Sequence, residues 1–274
     1  LIYRPYREVP DTEHMEGIAN LHRELEKITS ERHVDLITAH SIFMWQGGEA
    51  ILFAQQHNIP SVMYYHGGEN INRSVQEGTL SQEYIDHWAR LLKAATYVGV
   101  VSEAGKRQVV SLGVPEERVV NVGPMVNVDA FDPNLEGTTK LTVDEAKRKM
   151  MKGRVVFLAP NRICRDKGTL DLLKAGSRLI ASGYTNFVLV LIGDVNHSDY
   201  FEEMKQYIRE HKLQKHVIII TPSVSQEEVK PWYKRADVTV LPSYAEGLPL
   251  VLVEAQLMGR AVVGYRVDGI PEAM

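Results

Sequence analysis

Short, unbroken runs of aliphatic residues recur along the chain, and an amphipathic segment separates each run from the next. In the second half the runs read GRVVFLAP, NFVLVLIGD, HVIIIT and DVTVLPS. Runs of Val, Ile and Leu without polar alternation are typical of strands buried on both faces, as in parallel sheets covered by helices. The repeated order of strand then helix predicts an α/β fold with two Rossmann-like, doubly wound domains. Ser102 and Ser225 are predicted caps of two of the helices.

Composition and charge exclude several classes of protein. The formal net charge is −4 and the sequence pI is about 6.2. Nucleic-acid-binding proteins usually carry a basic excess, so we expect no nucleic-acid partner. Cys164 is the only cysteine, which excludes an intrachain disulfide and a metal site built from paired cysteines. Neither an apolar run of about 18–20 residues nor a signal peptide is visible. We expect a cytoplasmic protein, and a peripheral contact with the inner face of the membrane is left open.

Residues 124–143 contain the predicted domain boundary, because this stretch is rich in Pro, Gly, Asn and Thr and has no convincing strand. We assign residues 1–130 to an amino-terminal domain and residues 131–274 to a carboxyl-terminal domain. Ligands of open α/β sheets bind beyond the carboxyl ends of the strands, so the predicted site is a central cleft between the domains. The chain opens without a first strand and glycine loop and ends one turn into a helix. We hypothesise a fragment of a longer enzyme, incomplete at both termini.

Two carboxylates, Glu246 and Glu254, bracket a segment that is otherwise apolar apart from a glycine and Pro249. Proline is favoured in the first helical turn, so a helix is predicted from about Pro249 to Met258. Its amino-terminal end, beside Leu248, would present free N–H groups and a partial positive charge to an anion. Spacing alone favours the simpler interpretation, in which both glutamates face water. The apolar neighbours of Glu254 weaken it, because a buried carboxylate without a partner is costly.

The loop APNRICRDKG lies between a predicted strand and a predicted helix, and it contains Arg162 and Lys167. A planar guanidinium and a mobile ammonium group could together neutralise a diphosphate and stabilise it as a leaving group. The alternative is that both are solvated loop charges. Arg165 is the stronger candidate for such a charge, and Cys164 is most simply incidental.

The segment ADVTVLPSYAEGLPLVLVEAQLMGRAVVGYRVDGIPE resembles the donor-binding signature of retaining glycosyltransferases of the GT-B fold. That large family includes many bacterial lipopolysaccharide and exopolysaccharide enzymes. Its core is a Glu-x7-Glu motif, which Glu246 and Glu254 match. The resemblance implies that Glu246 contacts the transferred sugar as a catalytic residue and that Glu254 holds the nucleotide ribose. Gly247 and Leu248, at the tip of the helix, belong to the same predicted donor site.

The resemblance covers residues 35–274. It implies that Arg162, Lys167 and Gly168 bind the donor phosphates, and that the loops IGD and TPSVSQEE lie beside the nucleotide base. It also implies that the carboxyl-terminal domain binds the donor while the amino-terminal domain lies on the acceptor side.

His66 lies in YYHGGEN, at the carboxyl end of a predicted strand. A lone histidine is more often structural, but the two glycines after it would let the backbone approach a ligand closely. The family has a comparable His-Gly-x-Asp/Glu motif, with the histidine near the donor sugar. We therefore predict a catalytic role for His66 and treat Glu69 as a weaker candidate.

Three features depart from the family pattern. No glycine-rich loop follows a first strand, and the glycine after the interdomain proline is absent at GPMVNV. Asp268 precedes Gly269 where the family usually has two glycines, which would put a negative charge near the expected phosphate site.

We therefore expect transfer of a sugar from a nucleoside diphosphate sugar to an acceptor hydroxyl, with retention of configuration. No cofactor and no metal are expected, because no Asp-x-Asp cluster is present. The sequence leaves the acceptor open among a glycan, a lipid and a small molecule, and it does not distinguish UDP, GDP and ADP sugars.

Two other functions are left open by the sequence. A non-catalytic nucleotide-sugar-binding fragment would bind donor without forming product. A sugar-nucleotide epimerase of the same fold would release nucleotide or an altered sugar without an acceptor. A nicotinamide oxidoreductase is disfavoured, because no Gly-x-Gly-x-x-Gly follows a predicted strand.

Overall fold

The computed structural model describes residues 12–41, 45–67, 81–134, 141 and 143–274. The chain divides into two compact units, Leu1–Pro124 and Met125–Met274. Within these described residues, each unit contains one sheet of parallel strands, with helices between successive strands along the chain. The predicted α/β class with parallel, helix-connected sheets is confirmed.

The first unit builds a four-stranded sheet with strands in chain order, β1-β2-β3-β4. These strands are β1 (Ile37–His40), β2 (Ser61–Tyr65), β3 (Tyr97–Val100) and β4 (Val119–Asn121). The helices described in this unit are α1 (Thr12–Glu31), α2 (Trp45–Gln56), α3 (Gln82–Ala94) and α4 (Glu103–Ser111). Helix α1 is not among the elements that the sequence predicts.

The second unit builds a five-stranded sheet with the order β7-β6-β5-β8-β9. These strands are β5 (Val155–Pro160), β6 (Phe187–Ile192), β7 (Val217–Ile220), β8 (Val238–Leu241) and β9 (Ala261–Gly264). The helices described in this unit are α5 (Glu145–Met151), α6 (Thr169–Ala181), α7 (Ser198–Glu210), α8 (Gln226–Arg235) and α9 (Leu250–Leu257).

Burial of β6 shows why its sequence is an unbroken aliphatic run. All six of its residues are buried. Val188 and Val190 pack in a cluster with Trp232 of α8, whereas Leu189 and Leu191 pack in a second cluster formed with α6 and α7. Because successive strand residues point to opposite faces, both faces of the sheet are covered. A polar residue anywhere along this strand would lose the burial energy of an aliphatic side chain, about 1.5–3 kcal/mol.

Two local sequence signals are confirmed at helix starts. The Ser102 hydroxyl accepts a hydrogen bond from the Gly105 N–H, 3.0 Å away, and caps α4. Ser225 and Glu228 form a reciprocal capping box at the start of α8. The helix expected to begin in GIPEAM is a short 3-10 turn, Pro271–Ala273.

Candidate functional site

The strand order of the second unit reverses between β5 and β8, which pair through Phe157 and Val238 and through Leu158 and Thr239. The loops after the two strands beside such a reversal diverge, and the resulting crevice is where ligands of open α/β sheets bind. The loop after β5 carries both predicted basic residues, and the loop after β8 carries Glu246. Topology therefore places the residues predicted to bind phosphate and sugar beyond the carboxyl ends of two neighbouring strands of one sheet.

Lys167 and Glu246 are in direct contact between the loops that follow β5 and β8. Nζ of Lys167 lies 2.5 Å from Oε1 of Glu246, and the two side chains are only 15% and 14% exposed. Solvent and salt screen a pair this sheltered less than a surface pair. Each charge loses hydration and depends on the other for compensation. The sequence-predicted cation and acid thus share one sheltered position.

Gly168 makes this approach possible. It ends the 3-10 turn Arg165–Lys167 with a left-handed backbone, at φ +61°. A Cβ placed on Gly168 would lie 2.0 Å from the carbonyl oxygen of Pro242. The Tyr244 N–H also donates to the Asp166 carbonyl across 2.8 Å. The two loops therefore touch backbone to backbone at a point that admits no side chain.

Arg162 lies in the same loop as Lys167 but in a more exposed environment. Its side chain is exposed, and within the described part of the chain its guanidinium forms no ion pair or hydrogen bond. Arg165 is instead engaged away from Glu246, with NH2 2.8 Å from Glu203 Oε2 and its guanidinium over the Tyr200 ring. Of the basic residues in this loop, Lys167 is the one that contacts Glu246.

Helix α9 starts after Pro249, which lies at its cap, and Met258 closes its last turn. These bounds agree with the predicted helix. Gly247 is buried and Leu248 is partly buried immediately before it. The first N–H groups of a helix lack partners within the helix and carry its partial positive charge. The site residue Glu246 therefore precedes a helix end that favours anions.

Glu254 lies in the middle of α9 and accepts a hydrogen bond from the hydroxyl of Tyr233, 2.7 Å from Oε2. Burial raises the pKa of the Glu254 carboxyl, and the Tyr233 hydrogen bond partly opposes this rise. The partner expected for a carboxylate among apolar residues is therefore a tyrosine of α8. Sequence reasoning did not identify Tyr233, because its position in α8 is ordinary for a core aromatic residue.

Asp171, in the first turn of α6, joins two further loops. Its Oδ2 accepts hydrogen bonds from the hydroxyls of Tyr244 at 2.5 Å and Tyr265 at 3.0 Å. The Tyr244 bond is the main cause of a lowered Asp171 pKa, and the same bond raises the pKa of Tyr244 to about 12. Tyr244 precedes Glu246 by two residues, so this carboxylate anchors the loop that carries Glu246.

Asp268, the departure from the family pattern, also contacts this loop. Its backbone is left-handed at φ +45°, a conformation that glycine adopts without strain. The Glu246 N–H donates to Asp268 Oδ2 across 3.4 Å, and the Gly269 N–H donates to the Glu246 carbonyl across 3.4 Å. Burial raises the pKa of Asp268, and the nearby Glu246 charge adds to the rise. The extra carboxyl thus holds the backbone of Glu246.

The loops that the sequence placed beside the base are joined by Asp194. Its carboxylate accepts hydrogen bonds from the Ser223 N–H at 2.8 Å and the Ser223 hydroxyl at 2.7 Å. Its carbonyl accepts from the Ile163 N–H at 2.8 Å. A Cβ on Gly193 would lie 2.0 Å from the Asn161 carbonyl oxygen. The loops after β5, β6 and β7 are therefore held together at the same end of the sheet.

His66 belongs to the first unit and follows β2 directly. Its Nε2 lies 3.1 Å from Nδ1 of His40, and the two rings are stacked with centroids 5.3 Å apart. Burial, and after it the neighbouring His40, lower the pKa of His66. The neutral ring is therefore favoured, so one histidine donates to the other. Glu69 lies outside the described residues.

The structure thus brings Lys167, Gly168 and Glu246 together, and it sets Glu254 farther along the helix that follows them. It leaves Arg162 exposed, and His66 lies in the other unit. Within the ranges described, no group of three or more His, Cys, Asp and Glu side chains is arranged to hold a metal ion. The helices described there include none that is both long and apolar enough to span a bilayer.

Both halves of the chain match family models of glycosyltransferases. Residues 142–274 match the family described as "Glycosyl transferases group 1". Residues 2–130 match the family described as "Glycosyltransferase Family 4".

Curated relatives carry one recurring name. D-inositol 3-phosphate glycosyltransferase of Arthrobacter sp. (strain FB24) is 28% identical over 284 residues, which cover 100% of this chain and 65% of that protein. D-inositol 3-phosphate glycosyltransferase 2 of Catenulispora acidiphila is 30% identical over 166 residues, covering 59% of this chain and 38% of that protein. The chain therefore spans less than two thirds of the length of these relatives.

Solved structures share the fold. Anabaena HepE in complex with UDP-glucose has a TM-score of 0.73 at 19% identity, and the match covers 93% of this chain and 64% of that one. Sucrose-phosphate synthase of Thermosynechococcus elongatus has a TM-score of 0.73 at 20% identity, with 97% and 64% covered. At these identities the likeness concerns the fold.

Proposed function

We propose that the chain is a glycosyltransferase of the GT-B type that transfers a sugar from a nucleoside diphosphate sugar to an acceptor hydroxyl, with retention of configuration; the matches of both halves to glycosyltransferase family models support this. The observation that carries this proposal is the contact between Lys167 and Glu246 at the strand-order reversal, next to the start of α9. It combines a cation, an acid and a helix end in one crevice. A sugar diphosphate needs both kinds of partner: its phosphates are anionic and bind a cation and a helix amino terminus, and its sugar hydroxyls donate hydrogen bonds to a carboxylate.

In the proposed complex, Lys167 binds the diphosphate and Arg162 approaches it from solvent. An incoming diphosphate offers Lys167 a second anionic partner, which releases the Glu246 carboxylate to accept hydrogen bonds from sugar hydroxyls. The N–H groups at the start of α9 add partial positive charge on the phosphate side. As the glycosidic bond breaks, negative charge grows on the leaving diphosphate, and these fixed cations and dipoles stabilise it.

Glu246 and Glu254 divide the donor between them in this proposal. Glu246 faces the transferred sugar and stabilises the positive charge that develops at its anomeric carbon. Glu254, just over one turn into α9, binds the ribose hydroxyls. Gly247 and Leu248 supply backbone between the two, and Gly168 keeps the phosphate loop against Pro242.

We propose that no resident metal takes part, because two basic side chains and a helix end are available for the same charge. His66, in the first unit, is proposed to be a catalytic residue. Burial lowers its pKa, which favours a neutral imidazole that can accept or donate a hydrogen bond.

The test is a product assay with the full chain, UDP-, GDP- and ADP-sugars, and an acceptor panel of glycans, lipids and inositol phosphates. Inositol phosphates are included because of the name of the relatives. We expect a glycoside whose anomeric configuration, read by NMR coupling constants, matches that of the donor. An inverted product would overturn retention. Donor binding without product would favour the non-catalytic fragment, and an altered sugar without acceptor would favour the epimerase.

Glu246→Gln and Lys167→Met should each lower turnover by about a hundredfold, the size of a lost electrostatic contact in a transition state. Glu202→Gln and Arg165→Met are the matched controls, because Glu202 pairs with Lys205 and Arg165 pairs with Glu203. Unchanged turnover in Glu246→Gln would show that Glu246 is not a catalytic residue.

A further inference from the structure

Tyr233, whose hydroxyl donates a hydrogen bond to Glu254, is fully buried. It is 0% exposed and lies in the core cluster of the second unit with Ala255 and Met258 of the α9 segment. Its ring meets Phe131 edge-on, with centroids 6.2 Å apart. Its position is therefore fixed by packing before any ligand binds.

The hydroxyl of Tyr233 uses only part of the Glu254 carboxylate. It donates to Oε2 across 2.7 Å, and Oε1 receives no hydrogen bond from the described residues. An ionised carboxylate has about four acceptor positions. Glu254 therefore keeps acceptor capacity after its rotation has been restricted by one strong bond.

The same bond supports the charged form of Glu254. Burial disfavours the carboxylate, and the hydrogen bond from the Tyr233 phenol opposes this effect. A neutral carboxyl would donate a hydrogen bond, whereas two hydroxyl donors of a diol require an acceptor. A donor held inside the core thus keeps the acid in the form and orientation that recognise a diol.

We propose that Tyr233 is a positioning residue, which orients Glu254 to accept hydrogen bonds from the ribose hydroxyls of the donor nucleotide. This inference rests on the proposed function, because it takes the ribose to be the ligand of Glu254. Tyr233 itself touches no substrate. Its removal should weaken recognition of the diol and leave the phosphate contacts of Lys167 and Arg162 unchanged.

The test compares UDP with its 2′-deoxy and 3′-deoxy analogues by calorimetry on the full chain and on Tyr233→Phe. UDP is the probe because a protein of the same fold was solved with it; GDP and ADP are run in parallel. In the unsubstituted chain we expect the deoxy analogues to bind about tenfold more weakly, equivalent to roughly 1.4 kcal/mol. In Tyr233→Phe the affinity for UDP should fall about fivefold or more, while the affinity for the deoxy analogues stays within about twofold.

Equal weakening of UDP and the deoxy analogues by Tyr233→Phe would overturn the proposal, because a purely structural residue acts on both alike. Tyr207→Phe is the matched control, since it deletes a hydroxyl that bonds Ser177 on another face of the unit; it should leave discrimination unchanged. Glu254→Asp, which retracts the carboxylate from Tyr233, should also lose discrimination, and retained discrimination there would contradict the proposal.

Different outcomes would overturn the proposed donor site and the proposed role of Tyr233. If the unsubstituted chain binds none of UDP, GDP and ADP, the proposed function fails and this inference falls with it. If it binds UDP but does not distinguish the deoxy analogues, the donor site stands and the role of Glu254 and Tyr233 is wrong.

Discussion

The ammonium nitrogen of Lys167 lies 2.5 Å from a carboxylate oxygen of Glu246, although 79 residues separate them in the chain. One follows β5 and the other follows β8, the two strands between which the order of the sheet reverses. Because both side chains are sheltered, removing one leaves the other charge without its compensation. The pair therefore links the stability of the unit to the geometry of its proposed site.

The first prediction is that Lys167 and Glu246 are energetically coupled. Lys167→Met and Glu246→Gln should each lower the free energy of unfolding by about 1–3 kcal/mol, and the double variant should lose clearly less than the sum. Urea unfolding of the four proteins measures this coupling. The control cycle uses Lys205 and Glu202, an exposed pair, for which coupling below about 0.5 kcal/mol is expected. Additive losses at Lys167 and Glu246 would contradict the prediction.

The second prediction concerns the close approach at Gly168. Gly168→Ala combines a left-handed backbone with a Cβ that would lie 2.0 Å from the Pro242 carbonyl oxygen. We expect a loss of unfolding free energy above about 3 kcal/mol, or failure to fold, because backbone atoms must move. Gly153→Ala is the matched control, with a similar φ of +70° and nothing within 4 Å of the added atom. It should cost only the strain of the backbone, about 1 kcal/mol. Equal losses in the two variants would show that the loops can separate freely.

The sequence predicted the sheet architecture because burial on both faces leaves a direct record in unbroken aliphatic runs, as β6 shows. It singled out Glu246 through a motif whose spacing is set by one loop and one helix, and Lys167 and Gly168 through the separate loop between a predicted strand and a predicted helix. Helix α9 was predicted close to its observed bounds because proline and glycine mark its two ends.

The residues that hold the site in place were not predictable in the same way. Asp171, Tyr233 and Tyr244 act through hydrogen bonds between elements far apart in the chain. A tyrosine in a helix has the same local pattern whether its hydroxyl reaches a carboxylate or water. Asp268 was recognised as unusual, but its bond to the Glu246 backbone depends on how two loops fold back on each other.

The third prediction is that Asp171 anchors the loop of Glu246 through Tyr244. Asp171→Ala should lower turnover more than Tyr244→Phe, and Tyr244→Phe more than Tyr265→Phe, because the Tyr244 bond is 2.5 Å and the Tyr265 bond is 3.0 Å. The first of these losses should reach about tenfold, the effect of roughly 1.4 kcal/mol on a rate. Initial rates at saturating donor measure the order. Tyr184→Phe is the control and should leave the rate unchanged, because this tyrosine is 69% exposed. A larger loss for Tyr265→Phe than for Tyr244→Phe would show that Tyr244 does not anchor the loop.

The fourth prediction uses the raised pKa of Glu254, which burial causes and Tyr233 partly opposes. In the unfolded chain this carboxyl loses its proton near its ordinary pKa of about 4.3, and in the folded protein it does so at higher pH. Between the two values the folded state binds more protons, so this group makes stability fall as pH rises, until the cost is complete above the folded pKa.

Glu254→Gln removes that charge. Its gain in unfolding free energy over the unsubstituted chain should therefore be smallest near about pH 4 and grow to a plateau as pH rises. Glu228→Gln is the control of opposite sign, because the hydrogen bonds from Ser225 lower the pKa of Glu228 and its contribution is lost as pH falls. Urea unfolding across the pH range measures both. A gain for Glu254→Gln that shrinks as pH rises would mean that the surroundings of Glu254 favour its charged form. That result would contradict the prediction that burial raises the pKa of this carboxyl.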